Sequence, residues 1–188
     1  MASDMTLLIV GLAIFISIHI LPWHRGWRKT VIGKLGEKAY KGLFAVVALT
    51  GLIVIIVGKA RADFHHLWAP PPWGHVLAAP LMLVAIILLA AANLPGNIKR
   101  FTRHPMLWGV TLWSCAHLLA NGDLAAAILF GAFGIYALLA MLSANIRGAM
   151  LQTQRQPITK DLIIALVGIA VFSGLLLAHP YLFGAAVI

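Results

Sequence analysis

The sequence is poor in charge, and poorer still in acid. Of its 188 residues only 10% are charged, against about 25% in soluble domains. Five carboxylates occur in all: Asp4, Glu37, Asp63, Asp123 and Asp161. None falls within a long apolar run, which argues against paired-carboxylate hydrolysis and against carboxylate proton relays through a membrane. Cysteine is nearly missing too. The lone Cys115 sits in an apolar run, so there is no disulfide framework, and without a C-x-x-C-H stretch any haem has to be held non-covalently. Neither G-x-x-x-x-G-K-[ST] nor G-x-G-x-x-G occurs, which removes both phosphate-cradling loops. Serine chemistry lacks its third member. Ser17 lies near His19 and Ser114 near His117, but no acid is placed to orient either base.

Apolar residues dominate what remains. They make up 62% of the chain, and the mean hydropathy is +0.96. That is the composition of an integral membrane protein, with the lipid bilayer as its first partner. Six spans can be drawn: Met5 to Leu21, Gly42 to Gly58, Val76 to Ala92, Pro105 to Ala120, Leu124 to Ala144, and Leu162 to about Phe183. Most approach the roughly 20 residues that a helix needs to cross about 30 Å of hydrocarbon. Pro105 suits the first turn of the fourth span, while Pro95-Gly96 and Asn121-Gly122 end the third and fourth. The start, MASDMTLLIVGLAIF, has no basic residue before its apolar run and no small-x-small cleavage site at the end of that run before Pro22. It reads as a retained first span, not a secretory signal. The expected fold is all-α, a polytopic membrane helix bundle of six transmembrane helices, forming one domain over residues 1–188.

A net charge of +9 suggests nucleic acid until the positions are examined. The loop after the first span holds Arg25, Arg28, Lys29, Lys34, Lys38 and Lys41; the third loop holds Lys99, Arg100 and Arg103; the fifth holds Arg147, Arg155 and Lys160. Twelve of the 14 basic residues therefore lie in alternate loops. The second loop has only Lys59 and Arg61, and the fourth has none. This is a topology signal, with no nucleic-acid face. By the positive-inside rule the basic loops face the cytoplasm and both termini lie outside.

Two loops carry more detail. Val31, Leu35 and Ala39 share a helical face, Lys34, Lys38 and Lys41 lie off it, and Glu37 precedes Lys41 by one turn. This predicts a short amphipathic helix on the inner leaflet. The second loop, ADFHHLWAPPPWGH, has Trp68 and Trp73 as interfacial anchors. Its His65, His66 and His75 read as a solvated histidine-rich loop, with an outer-surface metal as the sharper alternative. Gly131, Gly134, Gly168, Ser173 and Gly174 on the last two spans read as close-packing positions.

Within the membrane, only imidazole offers ligand chemistry. His19 lies in AIFISIHILPW and His117 in LWSCAHLLA, where Trp113 precedes it by one turn. A histidine inside a membrane helix is costly and commonly faces a partner within the bundle. Two neutral imidazoles from different helices suit the axial ligation of a b-type haem, and they equally suit hydrogen bonds to neighbouring helices. His104 differs, standing at the mouth of the fourth span beside its opening proline. Pairing His19 with His117 has a depth requirement. The first helix has to continue past Pro22, or the fourth has to begin before Pro105.

Three pieces, GLAIFISIHILP, KLGEKAYKGLFAVVAL and AANLPGNIKRFTRHPMLWGVTLWSCAHLLANGD, resemble the NnrU family of bacterial membrane proteins. The likeness covers most of residues 6–143, and the sixth helix, about 162–183, is less diagnostic. The resemblance implies a role linked to nitrite and nitric oxide metabolism in denitrification. The family is also similar to the 15-cis-zeta-carotene isomerase of plants and cyanobacteria, a membrane enzyme with b-type haem and histidine ligands. On that similarity His19 and His117 match the ligand positions and His104 matches a further histidine of the motif. Trp113, one turn before His117, is the aromatic neighbour expected beside a cofactor held there. The resemblance thus implies a non-covalent haem b, with nitric oxide or an apolar polyene as small-molecule partner. It leaves three classes open: a haem protein of nitrogen-oxide metabolism, a haem-dependent cis–trans isomerase, and a non-catalytic assembly or signalling partner.

Overall fold

Hydrocarbon offers backbone N–H and C=O groups no partners, so a spanning chain has to pair them with itself. The computed structural model describes residues 2–184, and these are all-α: α1 (Ala2–Ile20), α2 (Arg25–Leu35), α3 (Glu37–Arg61), α4 (Gly74–Asn93), α5 (Pro105–Ala120), α6 (Leu124–Ile146) and α7 (Ile158–Phe183), with 3-10 turns at Leu21–Trp23 and Asn97–Arg100. Five of them, α1, α3, α4, α6 and α7, are long and apolar enough to cross a membrane. The fourth expected span is also a helix, with Pro105 in its first turn. Its 16 residues reach only about 24 Å. Large aliphatics stand bare on the helix flanks, Val46 at 63% and Leu166 at 67% exposure, as they do where lipid is the solvent.

The amphipathic helix differs from expectation. It ends at Leu35, and Gly36 follows with φ 82°, a backbone conformation that side chains disfavour. Ala39 therefore belongs to α3, not to the face shared by Val31 and Leu35. What remains on α2 is still amphipathic: Trp27 and Leu35 stand uncovered, and the Arg28 guanidinium lies 5.9 Å from the Tyr40 ring. The expected Glu37–Lys41 pair forms at 2.8 Å.

The described chain groups into two compact units. The first takes Met1–His66 and Asp123–Ala132. Its frame is the antiparallel pair α1 and α3, which touch at glycines. A Cβ on Gly11 would stand 2.6 Å from the Ile55 backbone nitrogen, one on Gly51 would stand 2.9 Å from that of Phe15, and one on Gly58 would press into the backbone of Leu8. These three positions went unread in the sequence. Of the five small residues singled out on the last two spans, Gly168 does pack closely, against Ile87, whereas Gly131 and Gly174 have open space around them.

The same unit is closed at one end by charge. Lys59 Nζ donates to Asp123 Oδ1 at 2.9 Å, and that oxygen also accepts the Ala126 N–H at 2.9 Å, capping α6. His66 and Asp123 form an isolated backbone bridge, and the Leu124 N–H donates to the His65 carbonyl. Burial pushes the Asp123 carboxyl up. The Lys59 hydrogen bond, the Ala126 N–H and the Lys59 charge together outweigh it, so the group titrates below the usual aspartate range.

The second unit takes Leu67–Gly122 and Phe133–Ile188. Here α4 is central, with α5 and α7 against it. Gly109 of α5 lies on Ala85 and Leu89 of α4, Gly74 lies on Leu119, and Gly168 of α7 lies on Ile87. Side chains tie its loops together. Asn97 donates through its backbone and side chain to Asp161 at 2.7 and 2.6 Å, and it exchanges hydrogen bonds with the Gln156 backbone. The Gln152 N–H donates to the Lys99 carbonyl at 3.1 Å.

Two outcomes follow. Gly58→Ala is expected to lower thermal stability in detergent by roughly 2 kcal/mol or more, the cost of overpacking. Gly131→Ala is expected to be neutral or to stabilise by up to about 1 kcal/mol, because glycine weakens a helix interior. Equal effects at the two sites would show that the α1–α3 contact is loose. Asp123→Ala is expected to cost about 2 kcal/mol through the lost cap and ion pair. A carboxyl whose pKa is depressed by folding stabilises above its unfolded pKa, about 3.9 for aspartate, and the contribution fades as pH falls through the lower folded value. Melting curves of wild type and variant should therefore converge below about pH 4, and a gap that persists at pH 2 would contradict the assignment.

Candidate functional site

Imidazole in an apolar helix has to spend its N–H somewhere. His19, in the last turn of α1, hydrogen-bonds through Nδ1 to the Phe15 carbonyl at 2.6 Å. Its ring stacks on Phe15 with centroids 4.2 Å apart and meets Phe44 edge-on at 5.1 Å. A carbonyl only accepts, so Nδ1 carries the hydrogen and the neutral ring keeps its lone pair on Nε2. That is the tautomer in which histidine ligates through Nε2, with a backbone carbonyl fixing the ring.

His117 repeats the arrangement in the second unit. Its Nδ1 bonds to the Trp113 carbonyl at 2.8 Å, again one turn back. The Trp113 ring lies 5.1 Å from the imidazole and meets Phe133 edge-on at 5.6 Å. Between them in sequence is Ser114, 1% exposed, whose buried Oγ has no hydrogen-bond partner. A buried hydroxyl without a partner is costly. Gly134 makes room for it, since a Cβ there would stand 3.3 Å from the Ser114 Cβ. The donor set and aromatic surroundings fit what a b-type haem asks of a protein.

His104 is placed elsewhere. It is the N-cap of α5, and its Nε2 bonds to Asn145 Oδ1 at 2.9 Å. Along α5 it stands about 20 Å from His117 by helix rise. Neither extension needed for the His19–His117 depth match occurs. The α1 helix ends at Ile20 and gives way to a 3-10 turn through Pro22, and α5 begins at Pro105.

One histidine was missed in the sequence. His179 lies on α7, beside Pro180. Equal steps along both helices from the Gly168–Ile87 contact bring His179 level with Val76 of α4. Equal steps from the Gly109–Ala85 contact bring Leu118 to the same level. His117 and His179 thus stand at one height against α4. The only sequence signal was a histidine near the end of an apolar run.

The loop histidines do not converge. Among the described residues no three of His, Cys, Asp or Glu gather as a metal-ion site.

A family model described as "NnrU protein" matches residues 7–187. The chain belongs to the NnrU family. No curated protein and no solved structure matches it. The NnrU match runs through α7, further than the resemblance over residues 6–143 reached, so the helix that carries His179 is part of the family's pattern.

Proposed function

We propose that this NnrU-family protein binds a b-type haem in the bacterial inner membrane and supports nitrite and nitric oxide metabolism. The observation that carries this reading is the 2.8 Å hydrogen bond between His117 Nδ1 and the Trp113 carbonyl, which assigns the hydrogen to Nδ1 and the lone pair to Nε2. His117 would hold the haem iron through Nε2, and Trp113 would set its ring orientation and lend an aromatic surface beside it. For the second nitrogen the sequence nominates His19, while the register of α5 and α7 on α4 favours His179. A haem bound there would offer an iron able to take nitric oxide or pass single electrons. Nitrite is a poor ligand for such a place, because every Lys and Arg lies in a loop or near a helix end. Nitric oxide, small and uncharged, can arrive through lipid. The family's association with denitrification supports the physiological half of the proposal.

In this reading the chain is a single membrane domain with six crossings, and both termini are periplasmic. The sixth crossing is α5, despite its shortness. Hydrogen bonds join the third loop to the fifth within the second unit, which supports one side for both. Since α6 is long enough to cross, α5 has to cross back. A single cysteine at Ala69 is then expected to react with a membrane-impermeant maleimide from outside intact cells, and one at Thr30 or Thr153 is expected not to. Labelling at Thr30 would invert the orientation.

The cofactor test is spectral. Purified protein is expected to show a Soret band that shifts when nitric oxide is added to the ferrous form. His117→Ala should remove it, and His104→Ala should leave it largely intact. Loss of haem in His179→Ala, with retention in His19→Ala, identifies the second ligand as His179; the reverse restores His19. A deletion strain should grow poorly on nitrite with an unchanged carotenoid profile. A clean protein spectrum would leave the assembly-partner class standing, and an accumulated cis-carotene with denitrification intact would promote the isomerase.

A further inference from the structure

The opposite end of α5 carries a second feature that the haem reading does not use. A cavity of about 410 Å³ opens there, and its lining includes Lys99, Arg103 and His104 together with Leu107, Met150 and Leu151. Three segments build it. The Gln152 N–H donates to the Lys99 carbonyl at 3.1 Å, and Gln152 Nε2 donates to the Gly96 carbonyl at 3.3 Å, which ties the α6–α7 loop to the α4–α5 loop. Asn145 Oδ1 accepts from His104 Nε2 at 2.9 Å and from Arg103 Nη1 at 3.4 Å.

Charge in the cavity is of one sign. Among the described residues the salt bridges are Glu37–Lys41 and Lys59–Asp123, so neither Lys99 nor Arg103 has a carboxylate partner. Asp161, the acid nearest in the connecting network, is committed to Asn97. The first turn of α5 adds to the field, since Met106 and Leu107 line the cavity and belong to the helix's open, positive amino end. Two uncompensated cations and a helix amino end call for an anion with several oxygens. The apolar part of the lining calls for something apolar, and Met150 within it stands 84% exposed. Free phosphate has no use for that part. A phosphate carried on acyl chains uses both.

We propose that this cavity holds the phosphate of an anionic phospholipid, with Lys99 and Arg103 on the headgroup and Leu107, Met150 and Leu151 against the chain. The site is independent of haem and stands whether or not His117 ligates iron. Native mass spectrometry of the purified full-length protein tests it, with phosphatidylglycerol, phosphatidylcholine and inorganic phosphate added separately. The wild type should retain one phosphatidylglycerol in preference to phosphatidylcholine. Lys99→Gln with Arg103→Gln should weaken retention roughly tenfold or more, at about 1 kcal/mol for each basic residue near an anionic headgroup. Arg103→Lys should keep most of it, and Arg155→Gln, a cation of the same loops outside the cavity, should change nothing. Equal retention of the two lipids, or a double variant that holds phosphatidylglycerol as wild type does, overturns the proposal. Displacement of the lipid by millimolar inorganic phosphate reassigns the site to the free ion and overturns the lipid assignment.

Discussion

An apolar side chain gains little by leaving lipid for protein, so helices in a membrane hold together where their backbones approach closely. In this protein that approach is made at glycines. Gly11, Gly51 and Gly58 bring α1 against α3 with no room for a side chain, and Gly109 and Gly168 bring α5 and α7 onto α4. Contacts this close also fix register, since sliding by one residue would drive side chains into backbone. The height of every functional side chain follows from them. His117 and His179 stand at one level because Gly109 and Gly168 seat their helices within the same turn of α4.

Polar groups then close the ends. Lys59 and Asp123 share an ion pair where α3 finishes and α6 starts, and Asp123 caps the helix that it opens. Asn97 and Asp161 do comparable work in the second unit. Each pairing lies where a helix leaves apolar surroundings and its terminal N–H or C=O groups lack partners within the helix. Specificity in the loops thus rests on a handful of amides and carboxylates in a chain that has only five acids.

The helices were legible because hydropathy, proline position and loop charge all report on a single variable, the depth of the chain in the bilayer. What was not legible depends on pairing. Gly58 and Gly131 look alike in sequence, and only one of them faces a backbone. Gly36 falls within a periodic pattern that continues on both sides of it, so the break between α2 and α3 was hidden. Lys59 and Asp123 lie far apart in the chain, and neither stands out in its own loop. The placement of His117 within an apolar helix, one turn from Trp113, was legible in the sequence. The placement of His179 level with it was not, because it depends on the register of α7 against α4, which no local pattern encodes.

The two ends of α5 differ in what they can accept, and the reason is dielectric. Near Pro105 the cations Lys99 and Arg103 lie in loops where water can reach them, so an anion can be bound without stripping their hydration. Near His117 the surroundings are apolar and a buried charge would carry a desolvation cost. A neutral imidazole with its N–H already committed to the Trp113 carbonyl avoids that cost, and so does an uncharged ligand. One helix about 24 Å long therefore joins an end where negative charge is favoured by its surroundings to an end where a buried charge of either sign would be costly.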